Sequence, residues 1–259
     1  MKEKSKALLN ALLLVLTLVV NFLGASGLIN GLSQKAVSDM YPTLITPAAF
    51  AFSIWGVIYT LLIASLIVMI VKSNDYYYKQ VINEISLLFW LTCVFNIVWI
   101  VCFSYNLIGL SSVFIFLLFV ILLLIDLRLG AIQTATRWLV PAAFGMYSGW
   151  LFIATVVNIT AWLVQLQWNG FGLSHALWAV ILLIVAIVLT VLFVMKLKNA
   201  LFPVPIAWAF WGIYKNVLAI DASGAYKELS LVAVIGAALL VLLALFQLYR
   251  NKFSILPTV

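Results

Sequence analysis

The stretch Ile115-Phe-Leu-Leu-Phe-Val-Ile-Leu-Leu-Leu-Ile125 is apolar at every position. A strand of a transmembrane barrel would alternate apolar and polar residues, so this stretch indicates a helix. The rest of the chain has a similar character, since 67% of its 259 residues are hydrophobic and only 8% are charged. Soluble domains carry about 45–50% apolar and about 25% charged residues. The sequence therefore predicts an all-α, polytopic membrane protein whose first partner is the lipid bilayer.

Eight apolar segments approach the length of about 20 residues that a helix needs to cross the hydrocarbon core. They cover about residues 7–29, 48–71, 84–105, 108–127, 138–163, 175–195, 202–220 and 229–249. The seventh segment is short and contains Pro203 and Pro205, so its signal is the weakest. We predict eight transmembrane helices.

The basic residues predict how these helices are oriented. With a cytoplasmic N-terminus, the outer side of the membrane would carry Lys35, Lys215 and Lys227, which leaves eleven of the fourteen Lys and Arg residues inside. Such a bias is typical of cytoplasmic loops. It predicts a multi-pass protein of the cell membrane with both termini in the cytoplasm. Because the basic residues are scattered near span ends, the net charge of +7 does not predict nucleic acid as a partner.

Three predicted spans each carry aromatic and amide side chains on one helix face. These are Trp55 and Tyr59 in the second span, Asn96, Trp99 and Phe103 in the third, and Tyr147, Trp150, Ala154 and Asn158 in the fifth. Positions three, four and seven apart share a helix face. Two interpretations stay open. Amides often link membrane helices by hydrogen bonds, whereas converging aromatic faces with a few polar groups form a pocket for a flat apolar ligand.

Residues for metal or covalent chemistry are sparse. His175 is the single histidine and has no neighbouring ligands for a metal site. The sequence has neither a phosphate-binding glycine loop nor a nucleophile elbow. Asp126 and Arg128, near the inner end of the fourth span, are expected at a solvated helix end rather than in a proton relay. No metal site is predicted, and ATP-driven or proton-coupled transport is disfavoured.

Two further segments have open interpretations. The first loop, about residues 30–46, is the longest, and it is either a plain linker or a lid over a cavity. The segment PVPIAWAFWGIY at 203–214 is similar to PAAFAFSIWGVIY at 47–59. This similarity is either a partial repeat or a coincidence of two span starts rich in proline and tryptophan.

Three motifs resemble those of the TspO/translocator protein family, also called tryptophan-rich sensory proteins. The segment from Pro47 to Tyr59 is similar to the family's second helix, Asn96-x-x-Trp99-x-x-x-Phe103 to its third, and Tyr147-x-x-Trp150-x-x-x-Ala154-Thr155-x-x-Asn158 to its fifth. The resemblance covers about residues 7–165. It implies a five-helix bundle over residues 1–165, with a pocket closed by the first loop. A three-helix extension would occupy residues 166–259.

The resemblance also implies a ligand and a site. Trp55 and Trp150 match a tryptophan pair linked in the family to porphyrin degradation, so they are the candidate catalytic residues. The candidate ligand-binding residues are Tyr59, Asn96, Trp99, Phe103, Tyr147, Ala154 and Asn158. The implied ligand is a porphyrin, haem or another flat apolar compound, which the protein would bind, sense or slowly degrade; whether it is an enzyme stays open. The alternatives are a transporter or exporter of small apolar solutes and a non-catalytic membrane partner subunit. Whether the chain forms a homodimer stays open.

Overall fold

The computed structural model describes residues 2–134 and 137–257, and its regular elements in these ranges are all helical. The helices are α1 (Glu3–Ala25), α2 (Gln34–Asp39), α3 (Ile54–Val71), α4 (Tyr76–Ser104), α5 (Ile108–Ile132), α6 (Leu139–Gln165), α7 (His175–Leu197), α8 (Pro203–Ile220) and α9 (Lys227–Arg250). Short 3-10 helices at Ala49–Ser53 and Gly170–Gly172 precede α3 and α7. Each of the eight predicted apolar segments forms one long helix.

Seven of the described helices are long and apolar enough to cross a membrane. The prediction of an all-α, multi-pass membrane protein is thus confirmed. Of the eight long helices, α8 is outside this set; it has 18 residues and carries Lys215 and Asn216 near its end. The count of eight crossings therefore stays a prediction.

Five helices form a closed ring in which each contacts its two neighbours, in the order α1, α3, α6, α5 and α4. The helix α6 is the most deeply buried, because it packs against α3 and α5 within the ring and against α8 outside it. Its buried face carries Gly145 and Gly149, which let the chain around residues 199–205 approach the α6 backbone. The ring therefore places α6 between its interior and the last three helices.

The last three helices pack on the α5–α6 side of the ring. The helix α8 contacts α6 and α9, while α7 contacts α9 and α5. Pro203 and Pro205 lie in the first turn of α8, where a backbone N–H has no helical partner and proline is tolerated. The same prolines that weaken the sequence signal thus fit the start of this helix. A domain boundary at residue 165 stays a prediction.

The path of α8 runs along the height of the ring. Just before α8, the side chain of Asn199 donates to the carbonyl oxygen of Pro141 in the first turn of α6 (2.9 Å). Near the end of α8, Asn216 donates to the carbonyl oxygen of Thr46, before α3 (3.1 Å). The starts of α6 and α3 lie at opposite ends of the ring, because Ser65 in the second half of α3 contacts Leu139. This path supports a crossing by α8.

Candidate functional site

Trp55 is the centre of a cluster of aromatic rings inside the helix ring. Its ring centroid lies 5.0 Å from that of Tyr59, 6.0 Å from Tyr147, 6.2 Å from Trp150 and 6.4 Å from Trp99. Tyr59 stacks on Trp55, whereas Trp150 meets it edge to face. These five residues come from α3, α4 and α6, and we call them the aromatic cluster. The structure thus brings together five of the nine side chains predicted for the site.

Three residues of the aromatic cluster are buried and two are partly accessible. Trp150, Tyr147 and Trp99 expose 3%, 4% and 9% of their surface, whereas Trp55 and Tyr59 are half-buried. Phe52, one turn before Trp55, is exposed and lies 6.1 Å from the Trp150 ring, edge to face. The accessible part of the aromatic cluster is therefore the part on α3.

A chain of hydrogen bonds behind the aromatic cluster links four helices. The hydroxyl of Tyr59 donates to Oδ1 of Asn21 (3.0 Å), and Nδ2 of Asn21 donates to Oδ1 of Asn96 (2.6 Å). Nδ2 of Asn96 then donates to the hydroxyl of Tyr147 (3.0 Å). The chain joins α3, α1, α4 and α6 in turn. It orients Tyr59 and Tyr147, whose rings contact Trp55.

The second predicted amide, Asn158, links helices in the same way. Its Oδ1 accepts hydrogen bonds from Nε1 of Trp99 and from the hydroxyl of Ser111 (both 3.1 Å), and its Nδ2 donates to Ser112 (2.8 Å). Asn158 therefore joins α6 to α4 and α5 and fixes the Trp99 indole. Asn96 and Asn158 both have the helix-linking geometry that the sequence left open. Their role toward a ligand stays a prediction.

The indoles of Trp55 and Trp150 differ from several others in the protein. Nε1 of Trp99, Trp90 and Trp208 each donates a hydrogen bond within the protein. Within the described ranges, the Trp55 and Trp150 indoles take part in ring contacts but in no hydrogen bond. Their N–H groups are thus available to a polar group of a ligand. The described residues also contain no cluster of His, Cys, Asp and Glu that could hold a metal ion.

Two predicted site residues lie apart from the aromatic cluster. Phe103 packs in a small cluster with Val37, Ile108 and Trp162, near the end of α4, the start of α5 and the end of α6. Val37 belongs to α2, so the first loop carries a helix that covers these helix ends. Ala154 is half-buried against the main core. The structure thus gives Phe103 contacts with the loop rather than with Trp55.

The expectation that Asp126 lies at a solvated helix end is wrong. Its side chain is fully buried, and its two oxygens contact the Ser148 hydroxyl on α6 and Nδ2 of Asn199 before α8. Arg128 is exposed and pairs with Glu84 on α4 (3.3 Å). Asp126 is buried because the chain between α7 and α8 folds over it. That contact joins residues 73 positions apart and leaves no periodic pattern in the sequence.

Residues 46–51, which lead into α3, pack antiparallel against α8. Nε1 of Trp208 donates to the carbonyl oxygen of Ala51, and the Ala48 N–H donates to the carbonyl oxygen of Gly212 (both 3.0 Å). The Phe50 ring meets Trp208 edge to face at 5.4 Å. The two similar segments, 47–59 and 203–214, are therefore packing partners. The sequence shows that the two segments are similar. It does not indicate that they pack against each other.

An apolar groove of about 360 Å³ lies elsewhere, between α7 and α9. Its lining is aliphatic apart from Phe246 and includes Ile187, Val191 and Leu240. It contains no residue of the aromatic cluster, and it has the composition of a surface that faces lipid tails.

A family model described as TSPO-like protein matches residues 7–246 of the chain. Because the match covers most of the 259 residues, the chain belongs to this family. The match extends past residue 165 into α9, and so it includes the helices that the motif resemblance did not reach. No curated protein and no solved structure matches the chain.

Proposed function

We propose that this TSPO-like membrane protein binds flat apolar ligands, porphyrins among them, at the aromatic cluster. The observation that carries the proposal is the convergence of four rings on Trp55 within 5.0–6.4 Å, inside a ring of membrane helices. Aromatic pairs in such contact contribute about 0.5–1.5 kcal/mol each beyond burial. A planar ligand that stacks on Trp55 would gain the same kind of contact.

The exposure of the rings suggests where the ligand binds. Trp99, Tyr147 and Trp150 form the buried floor, and half-buried Trp55 and Tyr59 form the accessible edge. The free N–H groups of Trp55 and Trp150 would donate to a polar substituent of the ligand. Apolar compounds concentrate in the bilayer, so a lateral approach along the start of α3 would not require a route through water.

The helix α8 would hold the start of α3, along which the ligand approaches. It holds residues 46–51 through Trp208, Gly212 and Asn216. These contacts fix the backbone immediately before Phe52 and Trp55. The proposal therefore gives the last three helices a positioning role next to the ligand site.

The test is an equilibrium titration of the purified full-length protein with protoporphyrin, followed by the porphyrin absorbance. We expect saturation at one porphyrin per chain and displacement by other flat aromatic compounds. Palmitate, which is apolar but not planar, is the control and should not compete. Absence of saturable porphyrin binding, or equal displacement by palmitate, would contradict the proposal.

Degradation of the ligand is a finer part of the proposal. Tryptophan can exchange electrons or excitation with a bound pigment, and Trp55 and Trp150 are in edge-to-face contact. Replacing both with Phe should reduce any light-dependent loss of bound porphyrin, measured per bound molecule. An unchanged rate would remove a catalytic role for the pair.

Transport of small apolar solutes is the second candidate, and the burial of Asp126 is the observation that favours it. Ionisable side chains inside membrane spans commonly mark ion or substrate pathways. Proteoliposomes separate the two functions, because a transporter accumulates porphyrin in the lumen whereas a receptor binds it only stoichiometrically.

A further inference from the structure

Asp126 is the one buried member of the seven acidic residues, all of which lie in the described ranges. It is placed six residues before the end of α5, which is about 9 Å along the helix. Removing a carboxylate from water is expensive unless a cation accompanies it. Asp126 therefore needs a partner that offsets its charge, or it must carry no charge.

The described surroundings of Asp126 contain no such cation. On its own helix, Arg128 pairs with Glu84 of α4. The helix α6 has no charged side chain. The charged side chains on the other nearby elements are exposed, and none is ion-paired with Asp126 in the described ranges. They are Lys196, Lys198, Arg250 and Lys252. The remaining titratable group of α6, the Tyr147 hydroxyl, hydrogen-bonds to Asn96.

The groups that do contact Asp126 are neutral donors with fixed orientations. The Leu201 N–H donates to Oδ1 of Asn199 (3.0 Å), which sets the direction of the Asn199 amide. Nδ2 of Asn199 therefore points toward Asp126, donating to its Oδ1 (3.2 Å) and to the carbonyl oxygen of Pro141 (2.9 Å). An N–H group aimed at the carboxyl would repel a metal ion there. The donor arrangement thus disfavours a sodium or divalent cation.

The number of protons available around the Ser148 hydroxyl supports a protonated Asp126. Its Oγ is close to Oδ2 of Asp126 and lies 2.9 Å from the carbonyl oxygen of Phe144. A serine hydroxyl has one proton to donate, whereas a protonated carboxyl adds a second donor. With a proton on Oδ2, Asp126 donates to Ser148, and Ser148 donates to Phe144. Both close contacts are then hydrogen bonds, and every group in the cluster is satisfied without a charge.

We propose that Asp126, with Ser148 and Asn199, is a proton-binding site at the junction of the helix ring and the last three helices. The proton is the ligand, and it allows the α7–α8 connection to close over the carboxyl. The closure is tight, because side chains added at Gly145 and Gly149 would overlap Asn199 and Phe202. Loss of the proton leaves a buried carboxylate with no cation, and the connection then loosens. This inference does not depend on the ligand of the aromatic cluster.

Infrared spectroscopy of the purified protein at neutral pH tests the proposal. The other six acidic side chains are at least partly accessible, so Asp126 alone is closed off from the water that would solvate a carboxylate. A protonated carboxyl C=O stretching band should therefore arise from Asp126 alone. We expect the band in the wild type, its loss in Asp126→Asn, and its retention in the exposed control Asp39→Asn. In Ser148→Ala the band should shift, because the acid loses its acceptor.

Stability provides a second readout. An Asn side chain mimics the neutral acid, since its Nδ2 can donate to Ser148 and its Oδ1 can accept from Asn199. Asp126→Asn should therefore fold with nearly wild-type stability at neutral pH. Relative to the intrinsic, base-catalysed exchange rate, the amides around residues 198–205 should lose protection at alkaline pH in the wild type but not in this variant. Absence of a protonated carboxyl band from the wild type would overturn the proposal, as would a band that sodium abolishes at constant pH.

Discussion

Trp208 on α8 donates a hydrogen bond to the carbonyl oxygen of Ala51, 3.0 Å away and 157 positions earlier in the chain. Ala51 lies in the turn that leads into α3, one turn before Trp55. The contact therefore connects the last three helices directly to the backbone that positions the aromatic cluster.

Replacing Trp208 with Phe should loosen this support. The variant keeps the aromatic ring against Phe50 but loses the indole N–H, so the Ala51 carbonyl oxygen keeps only the Ile54 N–H as a donor. A lost hydrogen bond of this kind costs about 0.5–1.5 kcal/mol. The variant should have a lower thermal midpoint in detergent. Trp211→Phe is the matched control, because the Trp211 ring is 37% exposed. Equal thermal midpoints for the two variants would argue against a stabilising role of the hydrogen bond from Trp208 to Ala51.

Adding a methyl group at Gly149 should displace α8 from α6. A Cβ at this position would overlap the carbonyl oxygen of Phe202, and forcing atoms into a packed interface costs about 1–3 kcal/mol. Gly56→Ala is the control, since nothing lies within 4 Å of the added Cβ there. Denaturant unfolding should show a loss for Gly149→Ala and a neutral or stabilising effect for Gly56→Ala. Similar losses at both sites would indicate a general helix effect.

The hydrogen bond between Asn96 and Tyr147 should couple α4 to α6 energetically. Interhelical hydrogen bonds in membrane proteins contribute about 0.6 kcal/mol on average and up to about 1.7 kcal/mol. A double-mutant cycle of Asn96→Ala and Tyr147→Phe isolates this contribution from the loss of packing. We expect a coupling energy in that range, measured from unfolding in detergent. Additive effects of the two substitutions would show that the contact does not stabilise the bundle.

Eight crossings with both termini inside predict a distinct labelling pattern. Ser223→Cys, between α8 and α9, should react with an impermeant thiol reagent added outside intact cells, whereas Lys252→Cys should react only after the membrane is opened. Both positions are exposed, and the native Cys93 and Cys102 are buried, so the background should be low. Outside labelling at Lys252→Cys without labelling at Ser223→Cys would indicate that α8 does not cross.

The long helices and much of the aromatic cluster could be predicted from the sequence, because both depend on short-range periodicity. The spacing of Trp55 and Tyr59, or of Tyr147 and Trp150, places side chains on one helix face. The family match then confirmed the resemblance on which the site assignment rested. Phe103 shares a face with Asn96 and Trp99, but it lies one to two turns further along α4. It therefore contacts the first loop instead of Trp55.

The contacts made by the last three helices could not be predicted in this way. The local sequence around Asp126 predicts a helix-end residue. Its burial depends on Asn199, 73 positions later, which the local sequence does not reveal. The contact between Trp208 and Ala51 likewise depends on how α8 docks on α6, where Gly149 permits the close approach. Such long-range contacts follow from the shape of packed surfaces, and single residues such as Gly149 and Asn199 show no periodicity that would reveal them.

The affinity for protoporphyrin of two double variants tests whether flat ligands bind at the aromatic cluster. In Trp55→Phe with Trp150→Phe, both free indole donors and part of the stacking surface are lost. We expect a dissociation constant about tenfold higher than that of the wild type, equivalent to about 1.4 kcal/mol. The control, Trp138→Phe with Trp211→Phe, changes two exposed tryptophans and should bind like the wild type. An unchanged dissociation constant in the first variant, or an equal increase in both, would show that the ligand does not bind at the aromatic cluster.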